Sequence, residues 1–258
     1  MNSQIENALD EWFRETEAAF KKVDTHSPVD SLCCSITAVA HNYCSAILSL
    51  LNRGHRLPAM ALLRVLAELA FRLIWCLYTD NPQKESCEVR IKRWLKAALL
   101  ERKKFVKRMS ESNLCSGEEV NAFKRELEEL EQNIGQIPHK AIGNFYNSLR
   151  DLPEPYRVDL YPRLYSIYNW GIHPDCLVLM RLVKQNAESN IVVSDVDEDP
   201  GVLKIYCLTM AFNILAVVRK NYGWDYDTIK REYLEIKKDF SKKRRENSHC
   251  HDESGQDR

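Results

Sequence analysis

The sequence predicts an all-α protein, a multi-helix bundle with a long charged helical hairpin. Apolar residues recur at three- and four-residue spacings along most of the 258 positions, the period of helices with one inward face. Only 8 Gly and 9 Pro are present, too few for a turn-rich β-fold. Apolar residues make up 45% and charged ones 29%, the proportions of a globular chain that buries a core in water.

Residues 3–22 align Ile5, Leu9, Trp12, Phe13, Ala19 and Phe20, with Ser3 as candidate N-cap. Residues 29–52 align Leu32, Ile36, Val39, Ala40, Tyr43, Ile47, Leu50 and Leu51, and Gly54 supplies a stop. A third helix starts at Pro58, suited to a first turn, and reaches Tyr78 before Asn81-Pro82 breaks the chain. Residues 84–110 read as a long charged helix and 117–134 as an acidic one. The turn SESNLCSG joins them into a hairpin over 84–134. Residues 135–155 are irregular around a short helix near 140–149, and 156–170 form an aromatic-rich helix. His173-Pro174-Asp175 opens another helix to about Asn186, and Asn190 to Val193 is a short β-like piece without a sheet. An apolar helix over 201–222 ends near Gly223, and an amphipathic one covers 226–240. A single domain is expected over 1–240, with a disordered basic and polar tail over 241–258.

Lys plus Arg and Asp plus Glu number 37 each, so the net charge of zero excludes a uniformly basic nucleic-acid coat. The charge is zoned: Arg90 to Met109 nets plus eight, Glu118 to Glu131 minus four, Glu188 to Asp199 minus five and Lys237 to Arg245 plus five. An antiparallel hairpin would neutralise part of its basic helix internally. The remainder over 90–109 is a candidate surface for a protein partner or a phosphate-bearing one.

The nine Cys include no C-x-x-C pair, which excludes zinc-ribbon and thioredoxin-type readings and leaves reduced thiols in a cytoplasmic protein. His249-Cys250-His251-Asp252 lies in the polar tail, and no metal centre or cofactor is expected. The N-terminus has acidic residues early and no apolar core of a secretory signal. The apolar run from Leu57 to Tyr78 is long enough to span a bilayer, but Arg64, Glu68 and Arg72 interrupt it at about 2.5–3.5 kcal/mol each, so no membrane association is expected. Phosphate loops, G-x-S-x-G elbows and H-E-x-x-H pairs are absent.

Two constellations carry candidate chemistry. Arg64, Glu68 and Arg72 stand four residues apart on one face of a helix otherwise apolar and expected to be enclosed nearly all round. The stripe is either an ion ladder that fixes helix register or the lining of a site for an anion. Thr37, His41, Ser45 and Ser49 recur at the same spacing on the preceding helix. His41 therefore either faces the ladder or is a satisfied structural histidine. In Tyr168-Asn169-Trp170-Gly171-Ile172-His173, Asn169 and His173 lie one turn apart, and His173 is a candidate general base or a helix-end cap.

R-x-x-x-E at Arg64 and Glu68, followed by S-x(6)-H-P at Ser166, His173 and Pro174, resembles a bacterial all-helical family of unknown function over roughly 28–185. The segment 168–173 is also similar to the R-N-x-x-x-H signature of HEPN domains. These are helical, often dimeric, and frequently metal-independent ribonucleases of toxin and phage-defence systems. That resemblance implies RNA as substrate, a homodimer, and Asn169 and His173 in the catalytic motif. Tyr168 stands where the family has Arg, so Arg64 or Arg72 would have to supply the cation. A non-cleaving member of the same fold is equally implied. The alternative class is a regulatory module that recognises a protein, a nucleic acid or a small anion.

Overall fold

The computed structural model of the chain describes residues 2–23, 27–77, 85–112, 115–142, 183–185, 191–193 and 199–252. Its helices are α1 (Asn2–Phe20), α2 (Pro28–Asn52), α3 (Arg56–Leu77), α4 (Cys87–Ser110), α5 (Gly117–Gly135), α6 (Pro200–Tyr222) and α7 (Asp227–Asp252). The fold is all-α, as expected. A two-stranded ribbon accompanies the helices: β1 (Val183–Gln185) and β2 (Ile191–Val193) pair antiparallel with Val183 opposite Val193. The helix expected to reach Asn186 is therefore strand at 183–185. Val183, Ile191, Val192 and Val193 are β-branched, a residue type that favours strand.

The chain divides into two compact units, residues 1–74 with 154–258 and residues 75–153, a finer division than one domain over 1–240. In the first, α6 is central and packs against α1, α2 and α7. Its apolar residues point all round, so Leu203, Leu208, Ile214 and Val218 are all buried. Helix α1 delivers Ile5, Leu9, Trp12, Phe13 and Phe20, each worth about 1.5–3 kcal/mol of buried apolar surface. Helix α2 buries Cys33, Ile36, Thr37, Ala40, Cys44, Ile47, Leu48 and Leu51. The expected stripe included Val39, which is 41% exposed. The inward face is rotated toward Cys33, Thr37, Cys44 and Leu48, which are buried with Ile36, Ala40, Ile47 and Leu51.

Local chemistry sets the ends. Ser27 caps α2 by accepting from the Asp30 N–H at 3.0 Å, and the Asp30 carboxylate accepts in return from Ser27. Helix α1 already begins at Asn2, so Ser3 lies inside its first turn. Asp199 accepts from the Gly201 N–H at 2.8 Å at the start of α6. Gly223, at φ 65°, ends α6 in the left-handed conformation, with Trp224 N–H donating to Arg219 C=O at 2.9 Å. Helix α7 continues to Asp252. The stretch expected to be disordered is thus helical over 241–252, since Lys, Arg and Glu favour helix and no Gly or Pro intervenes before Gly255.

In the second unit, Ser86 caps α4 and Ser116 caps α5, the latter reciprocally with Glu119. Helices α4 and α5 pack as the charged hairpin. Among the described residues, two helices are long and apolar enough to cross a membrane, α2 and α6. Helix α3 is not one of them, because its charged stripe interrupts the run.

Candidate functional site

The stripe on α3 is a formed ion pair at its first rung. Arg64 Nη2 lies 3.4 Å from Glu68 Oε1, with the side chains 11% and 29% exposed. At roughly 100° per residue, the fully buried positions Ala59, Leu63, Leu66, Ala70 and Ile74 occupy one side of α3. Ala61, Leu62, Arg64, Val65, Glu68, Leu69 and Arg72 occupy the other and are half-buried. The helix is therefore not enclosed all round as expected: the charges share a side with partial access to water, where an ion pair costs less to keep.

His41 does not join this stripe. Its Nδ1 lies 2.9 Å from Glu17 Oε1 and its Nε2 3.8 Å from Asp10 Oδ1, both on α1. The ring stacks on Phe13 with centroids 4.8 Å apart. His41 is thus a structural tie between α1 and α2, the other of its two sequence readings. Thr37, on the same polar stripe, is buried in the core. Asn169, His173 and Tyr168 lie outside the described residues, as do Ser166 and Pro174.

The basic helix is largely spent. Arg102 pairs with Glu126 through two bonds of 2.7 and 3.1 Å, and Lys103 lies 2.7 Å from Glu131. The Glu126 partner raises the Arg102 pKa, and Lys103 lowers that of Glu131. Lys104 pairs with Glu101 at 2.7 Å and Arg93 with Glu85 at 2.6 Å. Lys96 donates to Ile137 C=O and buried Arg90 to Trp75 C=O. The internal neutralisation expected of a hairpin is present. Beside it, Lys92, Leu95 and Leu99 face Gln136, Pro138 and His139 across a half-open cleft of about 480 Å³. Leu95 is 50% exposed there.

Sequence reasoning missed the buried polar ties of the first unit. Arg219 is 5% exposed and donates to Thr16 Oγ1 (3.0 Å), Asp225 C=O (2.9 Å), Trp12 C=O (3.2 Å) and Glu15 Oε2 (3.0 Å). Lys204 bonds Asn52 and lies 3.8 Å from Glu6. Trp12 Nε1 donates to Glu232 at 2.7 Å, and Tyr222 donates to Asp30. Hydrogen bonds from Ser27 and Tyr222 lower the Asp30 pKa, while burial and the Asp30 bond raise that of Tyr222. None of the seven cysteines whose side chains are described forms a disulfide. Burial and an adjoining Cys207 thiol push the Cys44 thiol well up. No group of three or more His, Cys, Asp or Glu fit to hold a metal occurs among the described residues.

A family model described as a family of unknown function, DUF5677, matches residues 30–190. No curated protein and no solved structure matches the chain.

Proposed function

From the premise that this chain belongs to the family of unknown function DUF5677, we propose that it is a cytoplasmic, HEPN-like helical protein that cleaves RNA without a metal, as a toxin or phage-defence ribonuclease. The observation that carries the reading is the Arg64–Glu68 pair. A guanidinium at 11% exposure, oriented by one carboxylate, is a cation held where water is restricted. In this reading His173 takes the proton from the RNA 2′-hydroxyl, the freed oxygen attacks the adjoining phosphorus, and the 5′-oxygen leaves. Asn169 positions the phosphate, and Arg64 offsets the charge that builds on it, in place of the arginine replaced by Tyr168. Arg72, two turns along, contacts a flanking phosphate. His41 has no part in it, being engaged by α1.

The test is cleavage of a labelled RNA in EDTA by the purified protein and by His173→Ala and Arg64→Ala. Losing the general base is expected to cost about 10²–10⁴ in rate. Cleavage unchanged in His173→Ala refutes the assignment. A second reading, a non-cleaving regulatory module working as a monomer or homodimer, is favoured by Tyr168 at the arginine position and by the cleft beside Leu95. Absence of cleavage by the wild type, with calorimetric heat on titrating a small anion that Lys92→Ala abolishes, supports that reading instead. The α4 hairpin is the weaker docking surface in this reading, since Arg93, Arg102, Lys103 and Lys104 already pair with glutamates.

A further inference from the structure

We infer that the far end of α7 is an arm that docks single-stranded RNA through its phosphodiester backbone. Among the described side chains, Phe240 is the last of α7 that is not exposed. Ile229, Tyr233 and Ile236 are buried, and the Phe240 ring edge stands so near Gly201 that an added Cβ would meet it at 3.1 Å. From Ser241 to Arg244, and at Glu246, every residue is exposed while the helix runs on to Asp252. The stretch Lys237 to Arg245 nets plus five.

The contrast with α4 identifies this arm as the available cation. On α4, Arg93, Lys104, Arg102 and Lys103 are taken by Glu85, Glu101, Glu126 and Glu131 respectively. Lys107 lies 4.0 Å from Glu111, and Arg90 and Lys96 are taken by backbone carbonyls, which leaves Lys92 and Arg108 far apart near opposite ends of the helix. On α7, Lys238, Lys242 and Lys243 are exposed and have no ion-pair partner among the described residues. Lys238 and Lys242 are one turn apart and share a face, and Lys243 lies next round the helix.

The same residues decide between polyanions. A helix that lies on a membrane needs an apolar face to enter the bilayer. Past Phe240 the arm has none: Ser241, Lys242, Lys243, Arg244, Arg245, Glu246 and Asn247 follow in series. Charge without an apolar face fits a phosphodiester backbone, which gains affinity by releasing counterions and requires no insertion. The choice of RNA rests on the proposed cleavage function; the location on α7 does not.

The experiment uses full-length protein and a fluorescein-labelled 20-nucleotide 2′-O-methyl RNA, which has no free 2′-hydroxyl and cannot be cut. Anisotropy is followed from 50 to 300 mM KCl. In Lys238→Glu/Lys242→Glu/Lys243→Glu, with an unchanged circular dichroism spectrum, affinity is expected to fall at least about tenfold. The log–log salt slope should become shallower by about 2, at roughly 0.7 per lost contact on a single strand. Lys104→Glu/Arg108→Glu, on α4, is expected to bind within about twofold of wild type. Equal affinity in the α7 variant, an equal loss in the α4 variant, or capture by vesicles of phosphatidylcholine and phosphatidylserine without RNA binding overturns the inference. Binding without cleavage of ordinary RNA sinks only the ribonuclease reading, and cleavage that survives the α7 substitutions without loss of affinity sinks only the arm.

Discussion

Replacing Arg219 by Met keeps the length of the side chain and removes every donor. In the folded chain that guanidinium serves four acceptors on two segments, α1 and the α6–α7 turn. They do not lose equally. Glu15 is half-exposed and takes up water, so its share is small. Trp12 C=O keeps a bond of 2.8 Å from Thr16 Oγ1. The larger losses are the bond to buried Thr16 and the tie to Asp225 C=O, which holds the α6–α7 turn against α1. Two charge-assisted bonds of about 1.5 kcal/mol each give a cost of about 3 kcal/mol. With a urea dependence of about 2 kcal/mol/M, the unfolding midpoint of the first unit should fall by about 1.5 M. Arg219→Lys should recover less than half of this, because one ammonium cannot span four acceptors. The assay is urea titration by circular dichroism, with Arg108→Met as the exposed control. A double cycle with Thr16→Val should give a coupling of about 1 kcal/mol. A midpoint shift below about 0.3 M, or no coupling, refutes the reasoning.

The Tyr222–Asp30 bond predicts two pH effects of opposite position. The Asp30 pKa is depressed in the folded state, so its contribution is present above the ordinary carboxylate range and is lost as pH falls through the lowered folded value. The Tyr222 pKa is raised, so its contribution is full below about pH 10, the free phenol value, and is lost as pH rises beyond that. Urea midpoints of Tyr222→Phe should therefore vary less than wild type at both extremes, and parallel profiles overturn the pairing. Gly223→Ala meets no neighbouring atom but must hold φ 65°, so it should cost about 1 kcal/mol, read as a lower thermal midpoint. Native protein treated with iodoacetamide at pH 8 should label the half-buried Cys34 and Cys115 before Cys44 and Cys207, read by peptide mass spectrometry. The reverse order contradicts the buried thiol pair.

Helix α6 was legible because its apolar residues point in every direction, which only a central helix tolerates. Helix α2 was legible as a helix but misread in rotation. Leu32 and Val39 outweigh Cys33 and Thr37 in hydropathy, yet Cys33, Thr37, Cys44 and Leu48 are buried beside the expected Ile36, Ala40, Ile47 and Leu51. Elements set by non-local partners were harder: residues 183–185 continue a helical pattern in isolation and become strand only opposite Ile191 to Val193. His41 shows the same limit in a side chain. Its spacing from Thr37 and Ser45 is local, whereas its partners Asp10 and Glu17 follow from the register of α1 on α2. Arg219 and Lys204 were within reach. A lone cation in an apolar helix is the signal that singled out Arg64, and it applies equally to these two.

Charge needs a second reading for the same reason. A run of cations reports a number, whereas a partner responds to the charge left after the fold has used what it needs. On α4 a run netting plus eight lies beside an acidic helix in the same hairpin, and Glu126 and Glu131 reach Arg102 and Lys103 at 2.7 Å each. On α7 a run netting only plus five has passed the end of its packing surface before most of its cations begin. Exposed pairs contribute little to stability, so the hairpin gains mainly local neutrality. Among the described residues Lys238, Lys242 and Lys243 of the arm have no ion-pair partner, and repulsion among like charges on one helix is relieved most by an external polyanion. The smaller run is therefore the stronger docking element, and the order of the two salt slopes measures it.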